Sequence, residues 1–305
     1  MSNTYNSTNI QPSNVTYLFI DGSYLRESYI DTTYKWFGNE VENDNINIDF
    51  NAIKNFFDAR KVFYYDYINR IQRKDEEKID FEDRVSQQKD YFNYIRSLEE
   101  YHVKLGNFTK TKKGQKEASI LLTVDMMNHA IRNNMTKAVL LSGDKDFKPL
   151  LESLVNMGMV VYVSSEVRST SSELKYAADS YIPLSFFDYY KWSSPELKNK
   201  YPMPKIETYK TPFLGRGIEK FTALSDTKIG KKFGGMVKVY EPQNAQLLDR
   251  GTAKDYEVKL FQKDSEFILF FRNIEDGSTF QMTLNNQDRL ELYYALESGK
   301  KIKWD

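Results

Sequence analysis

The sequence predicts an α/β protein in two parts: a domain with a mostly parallel sheet, then a small α+β domain, a β-meander plus one helix. Three observations lead there. Short apolar runs alternate with longer helical patterns from Val15 to Tyr190, as strands buried on both faces and separated by helices do. After Trp192 the composition turns basic and gains prolines. From about Phe233 the apolar pattern becomes period-two, the signature of half-buried antiparallel strands.

The elements follow in order. Residues 1–14, MSNTYNSTNIQPSN, are polar and uncharged and read as a disordered tail without the basic and apolar segments of a signal peptide. Strands are expected at VTYLFI (15–20), KVFYYDY (61–67), YHVKL (101–105), KAVLLS (137–142) and MVVYVS (159–164). Helices are expected over about 49–59, 82–99, 117–133, 146–157 and 171–178, and these elements fill a domain over 15–192. The mixed charges of 69–90 read as a solvated helix or an insertion. Residues 193–232 read as a basic linker, since ten Lys and Arg stand against four Asp and Glu between Glu196 and Lys238. The last domain covers 233–305. There Asp276-Gly277 marks a hairpin between two alternating runs. NNQDRLELYYALESGK is a helix with Asn285 or Asn286 to start it and Gly299 to end it.

Composition excludes several chemistries. There are no cysteines, so thiolate metal sites, disulfides and a Cys nucleophile are out. Formal net charge is zero, so any nucleic-acid-binding surface must be local. No run reaches the about 18 apolar residues of a membrane span, and a soluble cytoplasmic protein is expected. Walker, dinucleotide-glycine and nucleophile-elbow motifs are missing. His102 and His129 are the two histidines, and their spacing makes no catalytic pair. His102 reads as structural, whereas His129 lies one turn from an acid, Asp125.

The acids carry the chemistry. In a parallel sheet the functional crevice lies beyond the carboxyl ends of the strands. Asp21 follows the first strand, and Asp144 and Asp146 follow KAVLLS. Helix capping is the competing explanation: Asp21 can cap the helix after strand one, and Asp146 is a natural N-cap for FKPLLESLVNMG, with Pro149 tolerated in the first turn. Capping uses one carboxylate per helix and leaves Asp144 over. Two carboxylates so close repel unless a cation sits between them. Asp125 lies in the apolar helix ASILLTVDMMNHAI, where a carboxylate needs a cation, a donor or water. Oxygen ligands without cysteine favour Mg²⁺ or Mn²⁺ over Zn²⁺, and such ions serve phosphodiester chemistry.

Lys110, Lys112, Lys113 and Lys116 cluster before that helix, on a loop that should approach the same edge; Arg168 follows the strand at 159–164. They read either as solvated surface or as phosphate contacts. Aromatics at Phe267, Phe270, Phe271 and Phe280 read as core under the C-terminal helix or, if exposed, as a stacking face for single-stranded bases.

FIDGSY (19–24), VFYYDY (62–67), HVKLG (102–106), KEASILLTVDMM (116–127), AVLLSGDKDFKPLLESL (138–154) and TSSELKYAADSYIPL (170–184) together resemble the NYN family of PIN-like nucleases, and in particular its LabA-like branch, over about residues 15–190. The resemblance implies a PIN-like three-layer α/β/α fold and a metal-dependent ribonuclease. Its catalytic and metal-binding acids would be Asp21, Asp125, Asp144 and Asp146, with Mg²⁺ or Mn²⁺ as cofactor. Single-stranded or structured RNA would be the substrate, leaving 5′-phosphate and 3′-hydroxyl ends. Ser142, Lys112, Lys113, Lys116 and Arg168 are the candidate substrate contacts. Two positions depart from the family pattern. Tyr24 stands where an Asn is common, and Ser119 where an Asp is common, with Glu117 two residues earlier as a substitute. One carboxylate fewer lowers the charge of the site, so a weak or inactive, RNA-binding protein is the alternative. The C-terminal domain would select substrate or dock a protein partner.

Overall fold

The computed structural model describes residues 15–41, 48–106, 113–167, 170–207 and 239–305. They fall into two units: those up to Asp31 together with Asn39–Ser185, and Thr32–Gly38 together with Phe186–Asp305.

The first unit is built on six strands, β1 (Thr16–Asp21), β2 (Lys61–Tyr67), β3 (Tyr101–Gly106), β4 (Lys137–Leu141), β5 (Val160–Glu166) and β6 (Ser180–Leu184), in the order β3-β2-β1-β4-β5-β6. Every neighbouring pair is parallel. Five of the strands coincide with the apolar runs to within two residues at each end. The sixth is a half-exposed edge strand containing Pro183, which is why no apolar run announces it. The helices are α1 (Gly22–Phe37), α2 (Phe50–Phe56), α3 (Lys78–Ser97), α4 (Lys113–Ile131), α5 (Lys148–Asn156) and α6 (Ser172–Tyr176).

Two apolar layers sandwich the sheet. Tyr17, Phe19, Phe63, Tyr65, Ala138 and Leu140 look to one side and pack with Leu122 and Met126 of α4 and Leu151 and Leu154 of α5. Buried residues Ala118, Leu122, Met126 and Ala130 recur every four positions on α4, the stripe a helix needs to lie on a sheet. On the other side Tyr64 meets the rings of Phe50 on α2 and Phe92 on α3. This is the α/β/α arrangement expected of the first domain.

The second unit holds an antiparallel sheet in the order β12-β8-β9-β10-β11-β7. Its strands are β7 (Lys205–Glu207), β8 (Gln246–Ala253), β9 (Tyr256–Lys263), β10 (Glu266–Asn273), β11 (Thr279–Leu284) and β12 (Lys303–Trp304). Among the described residues of this unit three helices follow Ser185: α7 (Phe186–Lys191), α8 (Pro195–Lys200) and α9 (Gln287–Ser298). β8 to β11 form the expected meander. Gly277, with φ +69°, turns the β10–β11 hairpin. Asn286 caps α9 by accepting from the Arg289 N–H at 2.9 Å, and Gly299, with φ +68°, ends it. Phe271 stacks on Phe280 at 4.4 Å and on Tyr294 of α9 at 4.9 Å, so these aromatics form core under the helix. Phe270 lies on the opposite face with Phe261 and Ile268.

The start of the basic stretch 193–232 is folded. Ser194 caps α8, Pro195 sits in its first turn, and β7 pairs with β11. The rest of that stretch, like residues 1–14, lies outside the described residues. Among the described residues no helix is long and apolar enough to cross a membrane.

Candidate functional site

The strand order reverses its direction of growth between β1 and β4, and such a switch point opens a crevice beyond the carboxyl ends of the strands. Asp21 ends β1 and Ser142 follows β4. Ser142 Oγ donates to Asp21 Oδ2 at 3.0 Å. The Asp144 N–H donates to Ser142 Oγ at 3.1 Å, and the Asp146 N–H donates to Asp144 Oδ1 at 2.9 Å. One chain of hydrogen bonds therefore joins three of the four expected acids.

The capping role falls to a different residue than expected. Lys145–Phe147 form a 3-10 turn before α5, and Asp144 is its cap. The extra turn moves the start of α5 to Lys148, with Pro149 in its first turn, and leaves the Asp146 side chain out of capping.

Asp21 Oδ1 accepts from Ser23 Oγ at 2.9 Å and from the Tyr24 N–H at 3.2 Å. Burial outweighs these bonds and pushes its carboxyl up to about 6, with repulsion from Asp66 acting in the same direction. Among the described residues no Lys or Arg pairs with Asp21, Asp144 or Asp146.

Asp125 is held differently. Its Oδ2 lies 2.5 Å from Lys104 Nζ and accepts from the Tyr65 hydroxyl at 2.8 Å. These two side chains are the cation and the donor that a carboxylate in an apolar helix requires. Burial and the adjacent carboxylate hold the Tyr65 phenol far above its ordinary value.

A cleft of about 540 Å³ runs between α4 and the loop after β4, lined by Lys116, Ser119, Ile120, Thr123, Val124, Asp144, Asp146 and Phe147. Ser119 thus shares a cleft with two acids, while Asp125 is not among the lining residues. Six helical positions turn the side chain about 240° away, which accounts for the difference. Glu117 is half-buried and does not line the cleft either. Lys112 and Arg168 lie outside the described residues, as does the side chain of Lys113.

Tyr24 braces the acidic loop. Its hydroxyl accepts from the Glu166 N–H at 2.8 Å. A Cβ added at Gly143 would lie 2.7 Å from its ring, so glycine is what lets loop and ring approach. Beneath Asp21, the Asp66 carboxylate takes both Arg26 Nε at 3.0 Å and Arg26 Nη2 at 2.8 Å, and the Tyr64 hydroxyl at 3.0 Å. These residues, with Lys104 and Tyr65, escape a reading of the sequence, although an aspartate inside the apolar run VFYYDY is a visible sign of Asp66. After β2, Arg84 orders the segment 68–77 by donating to Glu76, Asn69 O and Ile71 O at 2.7–2.9 Å. His129 packs edge-on to Tyr17 and against Phe63, and His102 stacks on Phe63, both structural placements.

Among the described residues no three His, Asp or Glu form a ready ligand set for a metal. The donor chemistry nevertheless suits one: three carboxylates with no counter-ion among the described residues stand beside the Ser23 and Ser142 hydroxyls. Mg²⁺ commonly takes one or two protein carboxylates and completes its shell with water and substrate phosphate.

The first unit is thus a parallel α/β/α sheet with acids gathered at its switch point. The NYN domain family matches residues 16–185, more than half of the chain, and the protein belongs to that family. NYN domains have the PIN-like nuclease fold and are in general RNA-binding nucleases that use divalent metals. A crystal structure of a protein of unknown function from Vibrio parahaemolyticus is similar at 18% identity, covering 56% of this chain and 93% of that chain, with a TM-score of 0.38. No curated protein matches the chain.

Proposed function

We propose that the protein is a metal-dependent ribonuclease whose site is the acidic edge of the first unit. The observation that carries this reading is the bonded series Asp21–Ser142–Asp144–Asp146, three carboxylates without a paired cation among the described residues. Asp21 and Asp144, which Ser142 bridges, would hold Mg²⁺ or Mn²⁺, with Asp146 reaching it through water. The ion, when bound, neutralises charge on the phosphodiester and activates the attacking water. Ser142 fixes the direction of the Asp21 carboxylate, Tyr24 and Gly143 hold the loop, and Lys116 offers an ammonium to a phosphate in the cleft. Asp125, the fourth acid of the expected set, reaches this site through Lys104. The substrate is single-stranded or structured RNA in the cytoplasm, and the motifs favour the LabA-like branch. The C-terminal unit is assigned substrate choice or a protein partner.

The test is cleavage of end-labelled single-stranded RNA and folded tRNA by wild type and Asp144→Asn in Mn²⁺, Mg²⁺ or EDTA. Metal-dependent cleavage that falls at least about 100-fold in the variant is expected. Equal cleavage by the variant sinks the assignment.

A second reading, an RNA-binding protein with little or no activity, is favoured by one observation: Ser119 rather than a carboxylate faces Asp144 and Asp146 in the cleft. It predicts RNA binding in EDTA with no cleavage in any metal.

A further inference from the structure

Lys104, Tyr65 and Asp21 occupy aligned positions on three adjacent strands, because Tyr65 is in register with Lys104 on β3 and with Asp21 on β1. Strands lie about 4.8 Å apart, so Lys104 stands about 10 Å along the edge from Asp21. Its side chain is 44% exposed, and that of Asp125 is 15% exposed. The Asp125 oxygen that Lys104 meets is also held by the Tyr65 hydroxyl. Asp125 is thus fixed by a tyrosine from below and presents a lysine at the rim of the acidic edge.

We propose that Asp125 is a positioning residue rather than a metal ligand: with Tyr65 it orients the Lys104 ammonium to bind an RNA phosphate flanking the one at the acids. This rests on the reading of the edge as an RNA site. A flexible lysine loses rotamer entropy when it is fixed on a ligand, and a carboxylate partner that fixes it beforehand lowers that cost. The partly exposed ammonium keeps donors for a phosphate, since an ammonium carries three and Asp125 uses one.

The experiment uses the full chain as wild type, Lys104→Met, Lys104→Arg and Asp125→Asn. Binding of a fluorescein-labelled twelve-residue oligouridylate is measured in EDTA between 50 and 200 mM salt, and binding of Mn²⁺ alone by calorimetry. Lys104→Met and Asp125→Asn should each weaken RNA binding by about two- to fivefold. Lys104→Met should also flatten the salt dependence by about 0.7 in log–log slope, whereas Asp125→Asn, which keeps the ammonium, should leave the slope close to that of wild type. Lys104→Arg should bind RNA like wild type, and all variants should bind Mn²⁺ within about twofold of it, whereas loss of a partner of the metal shell would cost about 10–100-fold. RNA binding by Lys104→Met equal to wild type overturns the proposal, as does loss of Mn²⁺ binding in Asp125→Asn. RNA binding by Asp125→Asn equal to wild type overturns the positioning role, and if that variant does not fold, Tyr65→Phe, which removes the hydroxyl that holds Asp125, takes its place with the same expected loss. Wild type that binds no oligonucleotide removes the RNA reading itself, whatever the metal arm shows.

Discussion

Single side chains at the acidic edge set opposing demands of charge and solvation. Asp21 is a carboxyl lifted from 3.8 to about 6 by burial. The folded state carries no ionisation penalty below pH 3.8, and the penalty is complete once pH rises past about 6. Its size is about 3 kcal/mol. Asp21→Asn should therefore stabilise the metal-free protein at pH 8 by up to about 3 kcal/mol and leave it nearly unchanged at pH 4, in urea unfolding at the two values. Added Mn²⁺ should stabilise wild type at pH 8 more than the variant. Ser119 sets the complementary demand. Ser119→Asp adds a third carboxylate to the cleft that holds Asp144 and Asp146, and Mn²⁺ should bind about tenfold more tightly by calorimetry. A variant that binds no better would place Ser119 outside the metal's reach.

Elements position these residues through short, specific devices. The 3-10 turn at Lys145–Phe147 lets the loop after β4 cap itself with Asp144 and keeps Asp146 exposed. The four-residue stripe of α4 seats that helix on β1 and β2, which turns Ser119 into the cleft and Asp125 toward Lys104. In the second unit the stacked rings of Phe271, Phe280 and Tyr294 join β10, β11 and α9. Removing the ring at Phe271 leaves a cavity in a fully buried position, at a cost of about 3–5 kcal/mol. Phe271→Ala should accelerate amide exchange across β10 and β11 by urea-dependent exchange measurements. Unchanged protection would show that the rings contribute little.

The whole molecule carries no net charge, with 43 basic and 43 acidic residues. Long-range attraction of RNA is therefore weak, and under the proposed function binding would come from a few local cations such as Lys104 and Lys116. The salt dependence of oligouridylate binding should correspond to only a few phosphates, at about 0.7 in slope for each. A slope equivalent to eight or more phosphates would mean that a larger basic surface engages RNA. The two units also differ in kind: one is a parallel sheet whose connections are helices, the other an antiparallel sheet whose meander strands β8 to β11 are joined by turns.

Five of the six parallel strands, the five helices between about 49 and 178, the Asp276-Gly277 hairpin and the candidacy of Asp21, Asp144 and Asp146 were legible in the sequence by itself. Each depends on local periodicity, turn chemistry or a residue's place after a strand. The sequence alone could not pair Lys104 with Asp125, stack Tyr24 on Gly143, or choose Asp144 over Asp146 as the cap. The first two join residues far apart in the chain through strand register and helix rotation. The third depends on where a helix begins, which local pattern leaves open by a residue or two. Tertiary structure decided these matters because packing α4 on the sheet fixed its rotation, and with it which of the acidic-edge side chains meet.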